Sequence, residues 1–138
     1  MNADARAMTV PDLLAMKAAG RRIVMLTCYD AAFARLLEQA EVDVLLVGDS
    51  VNQVLAGQET TLSATLDQMI YHAASVRRGA RRALVFVDLP FLTYQVSPTE
   101  AIRNAGRVLK RAARRASNSR AAGRWRRRSG RSWTVGFP

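Results

Sequence analysis

Runs of apolar residues alternate with amphipathic segments through the first 110 residues of this 138-residue chain. Two of the runs, at residues 44–49 and 83–88, are almost free of polar residues until each ends in an aspartate. Apolar runs of this length are typical of strands that are buried on both faces of a parallel sheet. The pattern therefore predicts two buried strands, each with a carboxylate at its C-terminal end.

Amphipathic helices are predicted around these strands, with a shorter strand at residues 23–27 and a polar connection at residues 52–63. Each helix begins at a residue whose side chain can accept a hydrogen bond from the first turn. The predicted N-caps are Thr9, Asp30, Thr65 and Ser97. The predicted inward-facing side chains are Phe33, Leu36, Leu37 and Ala40, then Leu66, Met69, Ile70 and Ala73, then Ile102, Ala105 and Leu109.

The order of strand, helix, strand, helix, strand and helix predicts a parallel α/β sheet with helical crossovers. Burial of the strands on both faces suits either a closed barrel or a doubly wound sheet, and the sequence pattern leaves both open. A TIM barrel needs roughly 250 residues and eight such units. If the fold is a barrel, this chain contains its first three βα units, preceded by a short N-terminal helix.

The positive charge is concentrated at one end of the chain. Residues 1–110 hold 12 Lys or Arg and 11 Asp or Glu, whereas residues 111–138 hold nine Arg and no acid, within a net charge of +10. We therefore predict two parts: residues 1–110 as the folded portion and residues 111–138 as an irregular, Arg-rich tail. An alternative function is nucleic-acid binding through this tail, with Trp125 and Trp133 stacking on bases.

A lone cysteine excludes an internal disulfide framework. No segment approaches the roughly 18 apolar residues that span a bilayer, so a soluble cytoplasmic protein is expected. Cys28 is expected to be a small buried residue, and His72, which lies off the apolar stripe of its helix, to make a packing or hydrogen-bonding contact.

Asp49 and Asp88 are the candidate functional residues. The C-terminal ends of parallel strands meet at one edge of the sheet, where α/β proteins bind their ligands. Neighbouring strands lie about 4.8 Å apart, so two carboxylates at similar heights can share one hard cation such as Mg²⁺. The alternative is that these aspartates only cap the loops or helices that follow them.

A family resemblance extends from about Thr9 to Lys110. The chain resembles ketopantoate hydroxymethyltransferase in four motifs that occur in order at the ends of the predicted elements. They are Thr27-Cys28-Tyr29-Asp30, Val47-Gly48-Asp49-Ser50, Tyr71-His72 with Val76-Arg77-Arg78-Gly79, and Asp88-Leu89-Pro90-Phe91.

The resemblance implies a (βα)8 barrel enzyme of pantothenate biosynthesis. It would transfer a one-carbon unit from 5,10-methylenetetrahydrofolate to 3-methyl-2-oxobutanoate, giving 2-dehydropantoate, with bound Mg²⁺. By position, Asp49 and Asp88 match metal ligands, and Asp49, Ser50, Asp88 and Tyr29 match the region that contacts the oxo acid. The family also implies a homo-oligomer, a decamer, with small-molecule partners and neither a membrane nor a specific nucleic acid.

Part of the family's site is expected beyond the matching region. A Lys-x-Glu-Gly-Gly motif and a general-base glutamate should follow the third helix, and residues 111–138 contain neither. We expect that this stretch is an out-of-frame or disordered segment and that the chain alone has little activity. Another Mg²⁺-dependent barrel enzyme that acts on 2-oxo acids, a lyase, is a further alternative.

Overall fold

The computed structural model describes residues 6–112, 124–128 and 132–137. Helices and strands alternate along most of the chain, as the hydrophobic pattern predicts. The elements are α1 (Val10–Ala18), β1 (Met25–Thr27), α2 (Ala31–Gln39), β2 (Val44–Val47), α3 (Val51–Val54), α4 (Leu66–Gly79), β3 (Leu84–Asp88), α5 (Pro98–Ala112), β4 (Arg124–Arg128) and β5 (Ser132–Phe137).

The strands form one sheet in the order β1-β2-β3-β5-β4. Strands β1, β2 and β3 are parallel, and the register places Val47 beside Val87 at the C-terminal ends of β2 and β3. Helical connections return the chain between these parallel strands. The predicted α/β fold with a small parallel sheet is therefore confirmed, and the loops that follow β2 and β3 lie at the same edge of that sheet.

The expectation that the whole Arg-rich tail is irregular is wrong. Strand β5 pairs antiparallel with β3, and β4 pairs antiparallel with β5. The backbone of β3 offers unpaired N–H and C=O groups on that side, which a further strand satisfies. Gly136 of β5 lies opposite Phe86, and a Cβ atom at this glycine would collide with the phenyl ring. The division at residue 110 and the out-of-frame origin remain predictions.

Helix α4 packs against β2 and β3, α2 and α5 both contact α4, and α5 also contacts β5. All four predicted side chains of α4 are buried, at Leu66, Met69, Ile70 and Ala73, together with the β-strand residues Leu45, Val47, Val85 and Val87. The predicted capping residues also begin the helices. The Asp30 carboxylate accepts from the Phe33 N–H, the Thr65 hydroxyl from the Gln68 N–H, and the Ser97 hydroxyl from the Glu100 N–H.

The predicted inward faces of α2 and α5 are partly wrong. Phe33, Leu36 and Ile102 are 50%, 57% and 50% exposed, whereas Ala34 and Val108 are fully buried. Helix α2 approaches α4 so closely that a Cβ atom at Gly79 would collide with the Ala31 carbonyl and the Ala34 methyl group. Small residues therefore form this helix–helix contact, and they turn Phe33 and Leu36 outward.

Two further elements differ from prediction. Strand β1 is limited to Met25–Thr27, so Ile23 and Val24 lie outside it and are exposed. The polar connection at residues 52–63 begins with the last residues of helix α3. Within the described ranges, no helix combines the length and the apolar character that crossing a membrane requires.

Candidate functional site

Asp49 and Asp88 lie at the C-terminal ends of β2 and β3, where the parallel strands open into loops. Both are partly buried. The Oδ2 atom of Asp88 lies 3.5 Å from the position that a Cβ atom would occupy at Gly48, the residue before Asp49. Asp88 of β3 thus lies close to Gly48, which follows β2. This contact lies at the C-terminal edge of the sheet, where the sequence predicted the site.

Ser50 and Tyr29 join this site through a hydrogen bond. The Tyr29 hydroxyl lies 2.8 Å from the Ser50 hydroxyl. Ser50 occupies the N-cap position of α3, yet its side chain caps no backbone N–H group of that helix. Its hydroxyl instead pairs with Tyr29 and lies 3.0 Å from the Cβ position at Gly48. Tyr29 and Ser50 therefore form a hydroxyl pair close to the Asp88 carboxylate.

His72 of helix α4 contacts both the backbone and the ring of Tyr29. Its Nδ1 atom lies 2.8 Å from the Tyr29 carbonyl oxygen, which confirms the predicted hydrogen-bonding contact. A carbonyl oxygen only accepts, so Nδ1 carries the hydrogen and donates it. The His72 ring also makes edge-to-face contacts with the rings of Tyr29 and Tyr71, at centroid distances of 6.4 Å and 5.2 Å.

Tyr94 is a site residue that the sequence did not indicate. Burial raises the pKa of its hydroxyl, and the negative charges of Asp49 and Asp88 raise that pKa further. Both carboxylates are therefore close enough to this hydroxyl to interact with it electrostatically. No motif marks Tyr94, because it reaches the site through the course of the loop after β3.

The loop that carries Tyr94 is held by hydrogen bonds. The N–H and hydroxyl groups of Thr93 both donate to the Pro90 carbonyl, at 3.1 Å and 2.6 Å. The buried side-chain amide of Asn104 donates to the Thr93 carbonyl at 2.7 Å. Leu92 between them has a φ of 63°, a left-handed conformation that is uncommon for a large side chain. Helix α5 therefore fixes the position of Tyr94.

A second loop, after α3, is held by Asn52. This residue is buried, and its amide donates to the Thr60 carbonyl at 2.8 Å and to the Ser63 hydroxyl at 2.9 Å. The Gln53 amide adds a bond to the Glu59 carbonyl. The polar composition of residues 52–63 thus provides a hydrogen-bonded loop beside Ser50.

Cys28 lies next to Tyr29 and is 1% exposed, as expected of a small buried residue. Burial raises the pKa of its thiol, so the reactive thiolate form is disfavoured at neutral pH. Its thiol donates weakly to the Asp30 carbonyl at 3.5 Å. Cys28 is therefore a packing residue rather than a nucleophile.

The donor groups of the site suit a hard divalent cation. The strand ends and loops at this edge of the sheet carry two carboxylates, Asp49 and Asp88, and the Tyr29–Ser50 hydroxyl pair, and oxygen atoms are the ligands that Mg²⁺ prefers. Gly48 leaves room there that a methyl group would fill. The described residues contain no group of three or more His, Cys, Asp or Glu side chains that could hold a metal ion. A metal held by Asp49 and Asp88 would therefore retain water or substrate oxygens as further ligands.

A cavity of about 470 Å³ lies elsewhere, at the N-terminal ends of the strands. Four of its five charged residues form pairs, Arg6 with Asp12 at 2.6 Å and Arg82 with Asp43 at 3.6 Å. The Arg82 guanidinium also donates to the Val42 carbonyl. This cavity opens beside α1, away from Asp49 and Asp88, and we assign it no part in their chemistry.

Comparisons with known proteins place the site in context. A profile of the family described as ketopantoate hydroxymethyltransferase matches residues 7–118. Proteins named 3-methyl-2-oxobutanoate hydroxymethyltransferase are similar to this chain in Methylococcus capsulatus (56% identical, covering 74% of this chain and 38% of the relative), Thermosynechococcus vestitus (55%, covering 78% and 41%) and Azoarcus sp. strain BH72 (55%, covering 77% and 39%).

The chain spans about two fifths of the length of these curated relatives. The matched stretch includes β1, β2, β3 and the helices between them, with every residue of the site built from Tyr29, Asp49, Ser50 and Asp88. It also passes the end of α5 at Ala112. The chain belongs to the ketopantoate hydroxymethyltransferase family.

Proposed function

We propose that this chain carries the first part of the active site of a 3-methyl-2-oxobutanoate hydroxymethyltransferase. The reaction would add a hydroxymethyl group from 5,10-methylenetetrahydrofolate to 3-methyl-2-oxobutanoate, giving 2-dehydropantoate in pantothenate biosynthesis. The observation that carries the proposal is the approach of the Asp88 carboxylate to Gly48, beside Asp49 and Ser50. The names of the relatives support the same activity.

In this proposal β1, β2 and β3 are the first three strands of a (βα)8 barrel. Their parallel pairing and the helical crossovers suit a barrel segment, which supports this part of the proposal. The C-terminal ends of the strands are the catalytic face of such barrels, and Asp49 and Asp88 lie at those ends. The antiparallel strands β4 and β5 do not continue that pattern, so the barrel assignment applies to the parallel part alone.

Asp49 and Asp88 would hold Mg²⁺, and Asp49, Ser50, Asp88 and Tyr29 would bind the oxo acid. A bound Mg²⁺ would supply Lewis-acid polarisation of the ketone and acidify the neighbouring C–H group. The two carboxylates provide the negative charge that retains a divalent cation. The Tyr29–Ser50 hydroxyl pair orients a hydrogen-bond donor toward the carboxylate or ketone of the bound acid.

Other parts of the activity rest on residues outside the described site. The general base is expected to be a glutamate beyond the matching region, and the folate contacts are unassigned. We therefore expect little or no turnover by this chain alone. A cytoplasmic location and assembly into a homo-oligomer, a decamer in the family, remain predictions that follow from the family.

Binding measurements on the full 138-residue chain test the site. Mg²⁺ would be titrated calorimetrically, with and without 3-methyl-2-oxobutanoate. Asp49→Asn and Asp88→Asn each keep the side-chain shape and remove one negative charge. We expect each to weaken Mg²⁺ binding at least about tenfold, since even a supporting group of a metal site contributes that much.

Asp67→Asn is the matched control. The Asp67 carboxylate is 69% exposed and forms ion pairs with Arg107 and Arg111 on α5. Its variant should bind Mg²⁺ as the parent chain does. Equal binding by all four proteins would contradict the proposed metal site, and binding of the oxo acid that is independent of Mg²⁺ would contradict the chelation.

Two alternatives receive no support from the described residues. Nucleic-acid binding through residues 111–138 would require binding that discriminates among sequences, beyond the salt-sensitive attraction of any Arg-rich segment. A Mg²⁺-dependent lyase of the same fold would cleave a 2-oxo acid without a folate donor. Assays of the full-length relatives with and without 5,10-methylenetetrahydrofolate would distinguish the two activities. A transferase requires this donor, whereas a lyase does not.

A further inference from the structure

We infer that His72 is a positioning residue, which acts through Tyr29 to orient the Ser50 hydroxyl at the oxo-acid site. The inference rests on the proposed function for the identity of the ligand. His72 is the single histidine of the sequence, and nothing places it among the groups that contact substrate. Its contacts form a continuous connection from helix α4 to the strand ends.

The first step of that connection is the bond from His72 to the backbone of Tyr29. The 2.8 Å contact between Nδ1 and the Tyr29 carbonyl joins α4 to the segment between β1 and α2. That segment follows a strand of three residues at the edge of the parallel sheet, so the strand gives it little support of its own. The His72 bond therefore contributes to the placement of the Tyr29 backbone.

The second step is the side chain of Tyr29. The His72 and Tyr29 rings meet edge to face at an interplanar angle of 79°, and this contact restricts the direction of the phenol. The phenol hydroxyl then meets the Ser50 hydroxyl at 2.8 Å. His72 thus contacts both the backbone and the ring of Tyr29. Through Tyr29, helix α4 restricts the position of the Ser50 hydroxyl.

The third step is the alignment of Ser50. A serine at an N-cap position ordinarily bonds to the first turn of its own helix. Ser50 makes no such bond, so the Tyr29 hydroxyl is the partner that fixes its rotamer. Losing His72 would let Tyr29 move and would release the Ser50 hydroxyl. The Asp49 and Asp88 carboxylates should stay in place, because Asp88 is the last residue of β3 and Asp49 follows the end of β2 by two residues.

Loss of His72 should therefore affect binding of the oxo acid but not of Mg²⁺. A residue that only stabilises the fold would affect both. His72→Phe keeps a ring against Tyr29 and removes the donor. His72→Asn removes the ring and keeps an N–H donor two bonds from Cβ, as Nδ1 is. We expect His72→Phe to raise the Kd for 3-methyl-2-oxobutanoate about three- to tenfold, the range of one hydrogen bond, and to change the Kd for Mg²⁺ less than about twofold. His72→Asn should restore most of the oxo-acid affinity.

Nuclear magnetic resonance supplies a readout that needs no ligand. The chain contains three tyrosines, so the Tyr29 ring can be followed by selective labelling. The parent chain and His72→Asn should show an Overhauser contact between the Tyr29 ring and the Ser50 β-protons, and His72→Phe should lose it. Circular dichroism of each variant would verify that the helices are retained.

The outcomes separate the two proposals. Failure of the parent chain to bind 3-methyl-2-oxobutanoate would contradict the proposed function, and the Overhauser contact would then decide the role of His72 by itself. A Tyr29–Ser50 contact that survives in His72→Phe would overturn the positioning role. Equal losses of Mg²⁺ and oxo-acid affinity in a folded His72→Phe would overturn it as well.

Discussion

The Oδ2 atom of Asp88 lies 3.5 Å from the point that a Cβ atom would occupy at Gly48. The Asp88 carboxylate of β3 therefore packs against the glycine that follows β2. A methyl group at Gly48 would also come within 3.0 Å of the Ser50 hydroxyl, a closer approach than ordinary van der Waals contact. The glycine of the Val-Gly-Asp-Ser motif thus keeps space between two polar groups of the site.

Gly48→Ala should therefore impair ligand binding more than stability. We expect the Kd values for Mg²⁺ and for 3-methyl-2-oxobutanoate to rise several-fold, because the methyl group displaces Ser50 and crowds Asp88. The free energy of unfolding should change by less than about 1.5 kcal/mol, as for most small local adjustments. Calorimetry and urea unfolding measure the two effects, and unchanged affinities would contradict the expectation.

Two glycines in helices provide a matched pair for stability. At Gly79 a Cβ atom would collide with the Ala31 carbonyl and the Ala34 methyl group, whereas at Gly106 it meets no atom within 4 Å. Gly79→Ala should destabilise the chain by about 1–3 kcal/mol through overpacking. Gly106→Ala should stabilise it by about 0.5–1 kcal/mol, because glycine is a poor helix former. Urea unfolding of both variants gives the comparison, and equal shifts would exclude the close α2–α4 contact.

Cys28 should react slowly in the native state. Its thiol is buried and its pKa is raised by that burial, so little thiolate is exposed at neutral pH. We expect iodoacetamide to modify the folded chain at least about tenfold more slowly than the chain in urea, since reaction requires local opening. Mass spectrometry is unambiguous here because the sequence has one cysteine. Rapid modification without urea would contradict the burial.

The start of α1 should contribute stability that depends on pH. Hydrogen bonds from Arg6 and Thr9 lower the pKa of Asp12 from 3.8 to about 2. The folded state therefore favours the carboxylate, and this stabilisation is complete above pH 3.8 and declines as the pH falls toward 2. Thermal midpoints of the parent chain and Asp12→Asn should differ at pH 6 and converge as the pH falls. A difference that is constant with pH would contradict the lowered pKa.

Local rules predicted the helix starts and the buried strands. Thr65 and Gln68 are three residues apart, and their mutual bonding at the start of α4 depends on little beyond the first turn. The apolar runs that end at Asp49 and Asp88 were equally local signals, and they located the edge of the sheet at which the site forms. The family motifs then added roles that spacing alone could not provide.

The remaining features depend on contacts between residues far apart in the sequence. Tyr94 reaches the site because Asn104 holds its loop, and neither residue carries a recognisable motif. Because Gly79 has no side chain, α2 can approach α4 closely, and this contact decides which face of α2 is buried. The spacing of apolar residues along α2 does not reveal a contact with another helix. The pairing of β5 with β3 was missed because the Arg-rich composition of residues 111–138 as a whole obscured the alternation of Trp133, Val135 and Phe137 in β5.

The antiparallel pairing of β5 has a consequence for any attempt to rebuild the enzyme from two polypeptides. The hydrogen-bonding groups along that side of β3 are already occupied by residues 134–137. A parallel strand from a second polypeptide could pair with β3 only after β5 dissociates. The rate of reassembly at β3 should therefore be limited by the dissociation of β5. Deleting residues 124–137 should therefore accelerate reconstitution in trans.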